Sequence, residues 1–462
     1  MTLSKNMRKS LLTPLLAAAL LAGCAGTQPP YAAPQARVPA QWPHGGGDAR
    51  ALTGAWWTAF GDPALNQLVQ DALAANNDLA AAGIRVRRAQ LQAGLAEANL
   101  LPQFSGSLRS SAARGLDGGG STRASSSTLG ASYELDLWNR LGAQRDAARW
   151  EAEATAQDRE ATAQALAGTT ATLYWQLGYL RERIGAAEAS VAYAERTQAL
   201  VQAQYRAGAV SALEVAETMQ AVASQRAALS QLQQQQVEAA NALALLFDGR
   251  QADAAAQAPR QLPRTPLPAV AEGLPAELLG RRPDLRAAEL RLRSAYATVD
   301  ATRASYYPAL TLTGTLGGSS SALFNVLQNP LATLGAGLSL PFLQRRQMDL
   351  NIRVSQAQYE EAVVNFRQTL YQALADVDNA LSARSRLAEQ SAQLEQSLAA
   401  AQTAERLYET RYRLGAVPLR TWLDAQQTRR SAETALAENR YNRLVNHATL
   451  YRVLGGGTDG AG

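Results

Sequence analysis

Few residues in this chain could carry out chemistry. Its 462 residues include one cysteine, Cys24, and two histidines, His44 and His447. A single cysteine excludes a disulfide framework and a cysteine-based zinc site, and two histidines are too few for most metal centres. No serine, histidine and carboxylate set can be assembled, because His44 lies in a proline-rich stretch and His447 near the end of a helical pattern. We therefore expect no enzyme activity, no metal and no cofactor.

Two glycine runs, at residues 45–47 and 118–120, have the composition of phosphate-binding loops but not the context. Neither run combines a preceding strand, a lysine and a following helix, as such a loop requires. The second run lies between two predicted strands, where we expect an extracellular turn. The formal charge of +5 falls to +2 without Lys5, Arg8 and Lys9, which lie in a segment that we expect to be removed. That charge does not indicate nucleic acid as a partner.

Cys24 follows a segment that predicts both export and lipid attachment. Residues 1–23 have a basic start and an apolar run, which is typical of a signal peptide and too short to span a bilayer. The run ends in Leu21-Ala22-Gly23-Cys24, which resembles the bacterial lipobox, where the cysteine receives acyl chains such as palmitate. The alternative is an ordinary signal peptide followed by an incidental cysteine.

The residues that follow the lipobox predict a location and a tether. Ala25 occupies the position where aspartate would favour retention at the inner membrane, so the sorting rule points to the outer membrane. Residues 24–55 are rich in proline and are predicted to be an extended, lipid-anchored tether. Acyl chains on Cys24 would hold this tether firmly.

The rest of the chain repeats itself. Asn77-Asp78-Leu79 matches Pro283-Asp284-Leu285 at an offset of 206, and residues 205–210 match 412–417 at an offset of 207. A register kept over such a distance indicates duplication. We predict a first repeat at 56–250, a linker at 251–275, a second repeat at 276–454 and a flexible tail at 455–462, each repeat being a helix, a β-hairpin, a long helix and a return helix.

Four segments alternate between apolar and small polar residues with the period of a β-strand. They lie at about 103–113, 127–137, 309–318 and 331–341. Such alternation is typical of a membrane β-barrel with a wet interior, although a soluble antiparallel sheet would share it. Four strands are too few to close a barrel, and an open sheet edge is not stable in lipid. If the strands span a membrane, copies of the chain must assemble to close the sheet.

Proline-free stretches connect these hairpins to two predicted tips. Each stretch could extend roughly 95–100 Å as a helix, and a narrow leucine seam in the first indicates packing against other helices. Gly208 and Gly415 mark the points where the chain turns back, and Glu217 and Asp424 follow at equivalent positions of the return helices. Such a carboxylate is usually a solvated surface residue, but in a symmetric oligomer it would form a charged ring in a narrow tube.

Several motifs occur in an order that resembles one known family. It is the outer membrane factor (TolC-like) family of tripartite efflux pumps, in its lipid-anchored (NodT-type) branch. The motifs are Trp57-x-x-Phe60-x-Asp62-x-x-Leu65-x-x-Leu68, Ala72-Leu73-x-x-Asn76-x-Asp78-Leu79, Arg281-Arg282-Pro283-Asp284-Leu285 and Tyr412-x-x-Gly415 followed by Trp422-Leu423-Asp424-Ala425-Gln426. The resemblance covers almost the whole mature chain.

The resemblance implies a fold and a set of partners. The fold would be mainly α with a small membrane β part, in which a homotrimer forms a 12-stranded β-barrel continuous with a periplasmic α-helical barrel. The partners would be a periplasmic adaptor, a proton-driven inner membrane pump of the RND type and outer membrane lipid. The protein would be a lipid-anchored outer membrane duct that passively conducts small molecules. Drugs, including those of multidrug resistance, solvents, dyes and metal ions are all compatible cargoes.

The resemblance also assigns roles to particular residues. Asp424 matches the periplasmic gate carboxylate of the family, with Glu217 as its counterpart in the first repeat. Arg420 stands where a hydrophobic gate residue often occurs. The tip positions that contact the adaptor would be Tyr205, Gly208, Tyr412 and Gly415.

Two other functions are compatible with the same residues. One is a duct for polypeptide secretion, which would use the same architecture. The other is a structural tether of the envelope, in which the helices form a coiled coil and the alternating segments form a soluble sheet. Strand-length alternation at all four places is unnecessary for a tether, which favours the duct.

Overall fold

The computed structural model describes residues 31–45, 54–118, 120–249, 258–270, 273, 275–328 and 330–457. The predicted signal segment and Cys24 lie outside the described residues, as does most of the predicted tail. The chain forms two compact units. The first comprises residues 1–36, 85–155 and 287–367, and the second comprises residues 37–84, 156–286 and 368–462.

The first repeat begins with a 3₁₀ helix (Trp56–Phe60), and the next residues of the first motif start an α-helix. Asp62 caps helix α1 (Pro63–Ala75), because its side chain accepts hydrogen bonds from the backbone N–H groups of Ala64 and Leu65. Helix α2 (Asn77–Ala98) follows and leads to strands β1 (Gln103–Arg114) and β2 (Ser121–Leu135). Helix α3 (Arg140–Arg206) and the return helix α4 (Ala212–Leu245) complete the repeat.

The second repeat has the same order of elements from α2 onwards, and only the four-residue helix Leu278–Arg281 stands in the place of α1. Its members are α5 (Pro283–Ala304), β3 (Ala309–Ser320), β4 (Leu331–Ser339), α6 (Arg345–Arg413) and α7 (Leu419–Val453). The starts of α5 and β3 follow those of α2 and β1 by 206 residues, and α7 follows α4 by 207 residues. These offsets equal those found in the sequence, and α6, like α3, is uninterrupted because proline is absent from it.

The four strands form one antiparallel sheet in the order β1-β2-β3-β4. Strands β2 and β3, from different repeats, pair over eleven residues from Ser125 opposite Ser320 to Leu135 opposite Leu310. Strand β2 begins at Ser121, six residues before the predicted position 127, because its serine- and threonine-rich start pairs with the end of β1. Strand β4 ends at Ser339, two residues before the predicted position 341, where Pro341 cannot donate a ladder hydrogen bond and begins a 3₁₀ turn.

The register brings the apolar residues of all four strands to one face of the sheet. On this apolar face the side chains are large and most are exposed, with Phe104 82% and Leu334 91% exposed. The opposite, polar face carries glycine and hydroxyl residues. The apolar face consists mainly of Phe104, Leu108, Leu129, Tyr133, Leu135, Leu310, Leu312, Leu316, Leu334 and Leu338, and the polar face of Ser105, Ser107, Thr128, Ser132, Thr311, Thr313, Thr315 and Thr333.

The predicted leucine seam of α3 is partly buried in the second unit. Leu166, Leu177 and Leu180 are buried, whereas Leu173 and Ile184 are half-buried. The larger residues of this core are aromatic. They include Trp57, Tyr174, Trp175 and Tyr451, with the Tyr174 hydroxyl donating to the Asp62 carboxylate at 2.7 Å.

The described part of the predicted tether packs against distant parts of the chain. Residues 31–39 have no helix or strand. The Trp42 side chain is buried and its Nε1 donates to the carbonyl of Gly273 at 3.1 Å, while His44 Nδ1 lies 2.9 Å from the Asp378 carboxylate. This packing is not predicted by the sequence, because proline-rich composition indicates an extended backbone and not its contacts.

None of the described helices qualifies as a transmembrane helix, since none combines the necessary length with the necessary apolarity.

Candidate functional site

The two hairpin tips have the same backbone geometry. Gly208 and Gly415 have φ angles of 75° and 73°, in the left-handed region that favours glycine. The backbone N–H groups of Ala209 and Ala416 donate to the carbonyls of Gln204 and Arg411, each five residues earlier, at 2.9 and 2.8 Å. This is the glycine-terminated helix end known as the Schellman motif. The predicted breaks at both glycines therefore lie at true helix ends.

The return helices start differently. Ser211 caps α4, and its hydroxyl and backbone N–H both contact the Glu214 carboxylate in a capping box. These hydrogen bonds lower the pKa of Glu214, and the one from the Ser211 hydroxyl has the largest effect. Helix α7 has Pro418 at its N-cap position, without a side-chain cap. Glu217 and Asp424 are each the sixth residue of their helix, so the duplication places them at equivalent positions.

The two candidate gate carboxylates have different electrostatic surroundings. Asp424 is 62% exposed and forms an ion pair with Arg420, whose Nε lies 3.1 Å from the carboxylate. Glu217 is half-buried and has no hydrogen-bond or ion-pair partner within the described part of the chain. The sequence did not predict this difference, although Arg420 lies four residues before Asp424, the spacing of helical ion pairs. In this structure Glu217 has the uncompensated charge.

The two tip tyrosines are not equivalent. Tyr412 is 8% exposed and its ring stacks on Trp422 with centroids 5.2 Å apart, while its hydroxyl donates to Gln204 at 2.8 Å. Tyr205, its counterpart in the first repeat, is 48% exposed. Tyr412 is therefore a core residue of the tip, and only Tyr205 offers its ring as a contact surface.

Trp422 is the centre of this core. It is 2% exposed and lies in one cluster with Val201 of α3, Tyr412 of α6 and Leu419 of α7. Tyr193 contacts the same ring edge-on at 6.3 Å. The cluster joins α7 to both long helices, so the second hairpin is held to the first at this level.

Farther from the tip, charged side chains also connect these helices. The Tyr193 hydroxyl donates to Glu409 at 3.1 Å, and Arg429 contacts the buried Glu405 at 2.5 Å. Burial first, and then the charges of Glu409 and Glu405, raise the pKa of Tyr193 to about 12. Sequence reasoning missed this cluster, because its members are distant along the chain and share no motif. Their helical spacing on α6, Glu405 and Glu409 at i and i+4, was the one available signal.

Several large apolar side chains near the tips are exposed. Leu414 at the second turn is 78% exposed, and Leu213 and Met219 on α4 are 66% and 56% exposed. Exposed apolar groups of this size are typical of surfaces that bind another protein.

The Arg-Pro-Asp motif has a structural role in the second unit. The side chain of Arg282 is 11% exposed and forms ion pairs with Asp284 at 2.6 Å and Asp376 at 3.6 Å. It also donates hydrogen bonds to the backbone carbonyls of Ala373 and Val453, both at 3.4 Å. Burial alone would raise the pKa of Asp284, but the hydrogen bond and charge of Arg282 hold it below its usual value. The motif joins the start of α5 to α6 and to the end of α7.

Within the described residues no group of histidine, cysteine, aspartate and glutamate is arranged to hold a metal ion. His447 is buried, and its Nε2 lies 2.6 Å from the carbonyl of Pro268. It packs edge-on against Phe60 and Tyr451, which makes it a core histidine.

Comparison with known proteins defines the class of this architecture. The family model "Outer membrane efflux protein" matches residues 68–248 and 274–456. The chain therefore belongs to the outer membrane efflux protein family, the TolC-like outer membrane factors. This confirms the resemblance that the motifs indicated.

Individual relatives cover nearly the whole chain. The pyoverdine export outer membrane protein OpmQ of Pseudomonas aeruginosa is 36% identical over 457 residues, 96% of each chain. The cation efflux system protein CusC of Escherichia coli is 30% identical over 459 residues, 96% of this chain and 98% of the relative. The crystal structure of a membrane protein from Pseudomonas aeruginosa is similar with a TM-score of 0.83 and 28% identity, over 92% of this chain and 99% of that one.

Proposed function

We propose that this protein is the outer membrane exit duct of a tripartite efflux system, through which small molecules pass passively to the exterior. The membership of the chain in the outer membrane efflux protein family supports this function. The single observation that carries it is the sheet, whose four strands share one exposed apolar face and leave β1 and β4 at open edges.

The open edges require more than one copy of the chain. An unpaired backbone group in hydrocarbon costs several kcal/mol, so a sheet with two free edges is not stable in a bilayer. Pairing β4 of one copy with β1 of the next satisfies both edges. Three copies give twelve strands and a closed barrel, with the apolar face towards lipid and the polar face lining a wet lumen. A homotrimer is the state proposed.

The helical part of the duct lies in the periplasm in this proposal. The long helices α3 and α6 would each extend about 100 Å at 1.5 Å per residue. Their tips carry the exposed side chains of Tyr205, Leu213 and Leu414, which form the surface proposed for a periplasmic adaptor. Gly208 and Gly415 make the turns of these tips, and Tyr412 supports the second one from within. Through the adaptor the duct connects to an inner membrane pump of the RND type.

Cys24 is proposed as the lipidation site that anchors each copy to the outer membrane. Acyl chains contribute about 0.8 kcal/mol per buried CH₂ group, so two or more chains anchor the tether stably. Labelling cells with a fatty acid such as palmitate tests this directly. The natural chain is expected to take up the label and the Cys24→Ser variant to lose it, whereas uptake by both would disprove lipidation at this residue.

The cargo belongs to the small-molecule class in this proposal. OpmQ is named for pyoverdine export and CusC for cation efflux, although both are similar to this chain over almost its whole length. Similar ducts thus serve different cargoes, which fits a duct whose selectivity for cargo is set by the pump.

Glu217 and Asp424 are proposed as the carboxylates of the periplasmic gate. In a trimer each would form a ring of three, an arrangement that attracts cations in narrow pores. Because Arg420 compensates Asp424, the Glu217 ring has the larger share of the free charge.

Current through planar bilayers tests the duct and the gate together. Purified protein is expected to give small cation-selective openings, and an envelope tether would give none. The Glu217→Gln variant should lose more cation selectivity than Asp424→Asn, since only the first removes an uncompensated charge. Double replacement of both carboxylates by alanine should raise conductance or alter selectivity. Unchanged currents in the double variant would refute the gate, and absence of any current would refute the duct.

A further inference from the structure

The four strands carry few charges, and these are unevenly placed. Strands β3 and β4 have none, and β1 and β2 have only Arg109, Arg114, Arg123 and Glu134. Glu134 lies near the end of β2 next to α3, where Arg140 neutralises it at 2.7 Å. The three arginines lie towards the β1–β2 turn, at the opposite end. Asp117 in the turn offsets one of these charges, so that end of the sheet is cationic on balance.

Two of these arginines project from the apolar face. The register pairs Arg123 with Ala112 and Arg114 with Ser121, which places both side chains on the face of Phe104 and Leu108. Both are exposed, and neither has an ion-pair partner within the described part of the chain. Arg109, opposite Ser126, projects from the polar face instead. The arginine pair thus continues the apolar face beyond its last leucines.

The distance along β2 gives the level of this pair. Arg123 precedes Leu135 by twelve residues on β2 and lies towards the β1–β2 turn, which is about 40 Å along an extended strand. For a strand tilted by about 40° this is about 30 Å along the barrel axis. The apolar band of an outer membrane barrel is about 25 Å tall. Both arginines therefore lie just beyond the hydrocarbon, at the level of the lipid headgroups.

The other end of the band has an aromatic boundary. The Trp138 ring lies 5.3 Å from that of Tyr307, and its Nε1 donates to the carbonyl of Pro308 at 2.7 Å. Tryptophan and tyrosine prefer the interface between hydrocarbon and water. With this boundary on the side of the long helices, the level of the arginines corresponds to the outer leaflet.

We propose that Arg114 and Arg123 bind the phosphate groups of an outer-leaflet lipid that carries more than one phosphate. This rests on the function proposed above, which orients the β1–β2 turn outwards. Guanidinium groups bind phosphate through paired hydrogen bonds, and an unpaired cation next to lipid tails has an anionic headgroup as its complement. The band of leucines below the pair provides the contact for the acyl chains of the same lipid. Three copies would present three such sites around the barrel.

The test measures binding of a fluorescent form of lipid A, a glycolipid with two phosphates, to the full chain in detergent. The double variant Arg114→Gln/Arg123→Gln should bind it roughly 25-fold more weakly, about fivefold for each arginine. Arg109→Gln is the matched control for the single Arg114→Gln variant, because each removes one charge from β1 but from opposite faces. Arg109→Gln should bind the probe normally. Inorganic phosphate and phosphatidylethanolamine vesicles, tested as competitors, should displace little of the probe.

Each other outcome overturns the inference. Equal binding by the double variant and the natural chain would remove the two arginines from the site, and an equal loss in the Arg109 variant would reduce the effect to net charge. Efficient displacement by inorganic phosphate would make this a free-phosphate site. Bilayer currents of the same preparations separate this failure from that of the proposed function: normal currents without lipid A binding leave the duct intact, and absence of insertion refutes both.

Discussion

Trp422 is the residue whose loss should most clearly loosen the second hairpin tip. It is 2% exposed and stacks on Tyr412 within the cluster that joins α7 to α3 and α6. Replacement of a buried tryptophan by alanine costs about 3–5 kcal/mol, since the contacts are lost and a cavity is left. The loss falls on a single small cluster near a turn. We therefore expect it to open the tip locally and leave the remainder of the chain folded.

Hydrogen exchange measured by mass spectrometry gives the size of this effect. A loss of about 3 kcal/mol corresponds to a more than hundredfold faster exchange of protected amides. In Trp422→Ala we expect this in residues 193–201 and 412–426, and little change in the strands. Trp422→Phe should keep the ring contact with Tyr412, so its amide exchange should be accelerated much less.

Met219→Ala is the matched control, because Met219 lies on the other return helix and is 56% exposed. It should change exchange at the tips by less than threefold, in line with the small cost of surface substitutions. The same variants in planar bilayers should show larger or more frequent openings for Trp422→Ala alone. Equal exchange rates in Trp422→Ala and Met219→Ala would refute the assignment of Trp422 as the centre of the tip.

Three further changes test other parts of the structure. Arg282→Ala should lower the free energy of unfolding in urea by about 1–3 kcal/mol, because it leaves the partly exposed Asp284 and two backbone carbonyls without their partner. A loss below about 0.5 kcal/mol, the size expected of a surface substitution, would contradict the bridging role. Burial is the largest cause of the lowered pKa of His447, so the unfolded chain binds a proton more readily than the folded chain. The stability that neutral His447 contributes is therefore complete above about pH 6.5 and is lost as the pH falls through the lowered pKa. Unfolding midpoints between neutral pH and pH 5 should therefore depend less on pH in His447→Gln, and identical slopes would show that another group titrates. Arg420→Ala leaves the charge of Asp424 uncompensated and should raise cation selectivity in bilayers, whereas unchanged selectivity would place Asp424 away from the pore.

Much of the fold follows from the sequence because its signals are local and repeated. Period-two alternation identified each strand, and the offset of 206–207 residues fixed the order of the elements twice. Absence of proline identified the long helices, and glycine identified their ends at Gly208 and Gly415. Strand ends were less accurate: the start of β2 at Ser121 lies in a run of small polar residues whose alternation is weak, and only pairing with β1 makes it a strand.

The features that sequence reasoning missed depend on tertiary contacts. Identical positions in the two repeats led to equal roles for Tyr205 and Tyr412, but burial against Trp422 separates them. The compensation of Asp424 by Arg420 depends on the side chains actually meeting, which spacing permits but does not require. Trp42 and His44 contact residues more than two hundred positions away, and local composition contains no trace of such contacts.

The unequal tips have a consequence for whatever docks on them. In a trimer the six hairpin ends would alternate between two kinds, one presenting an open tyrosine ring and the other a closed aromatic stack. A partner built from a single type of subunit would therefore contact two chemically distinct binding sites that alternate around the trimer. Such a partner would bind with two affinities, or engage three ends tightly while the intervening three stayed free to shift.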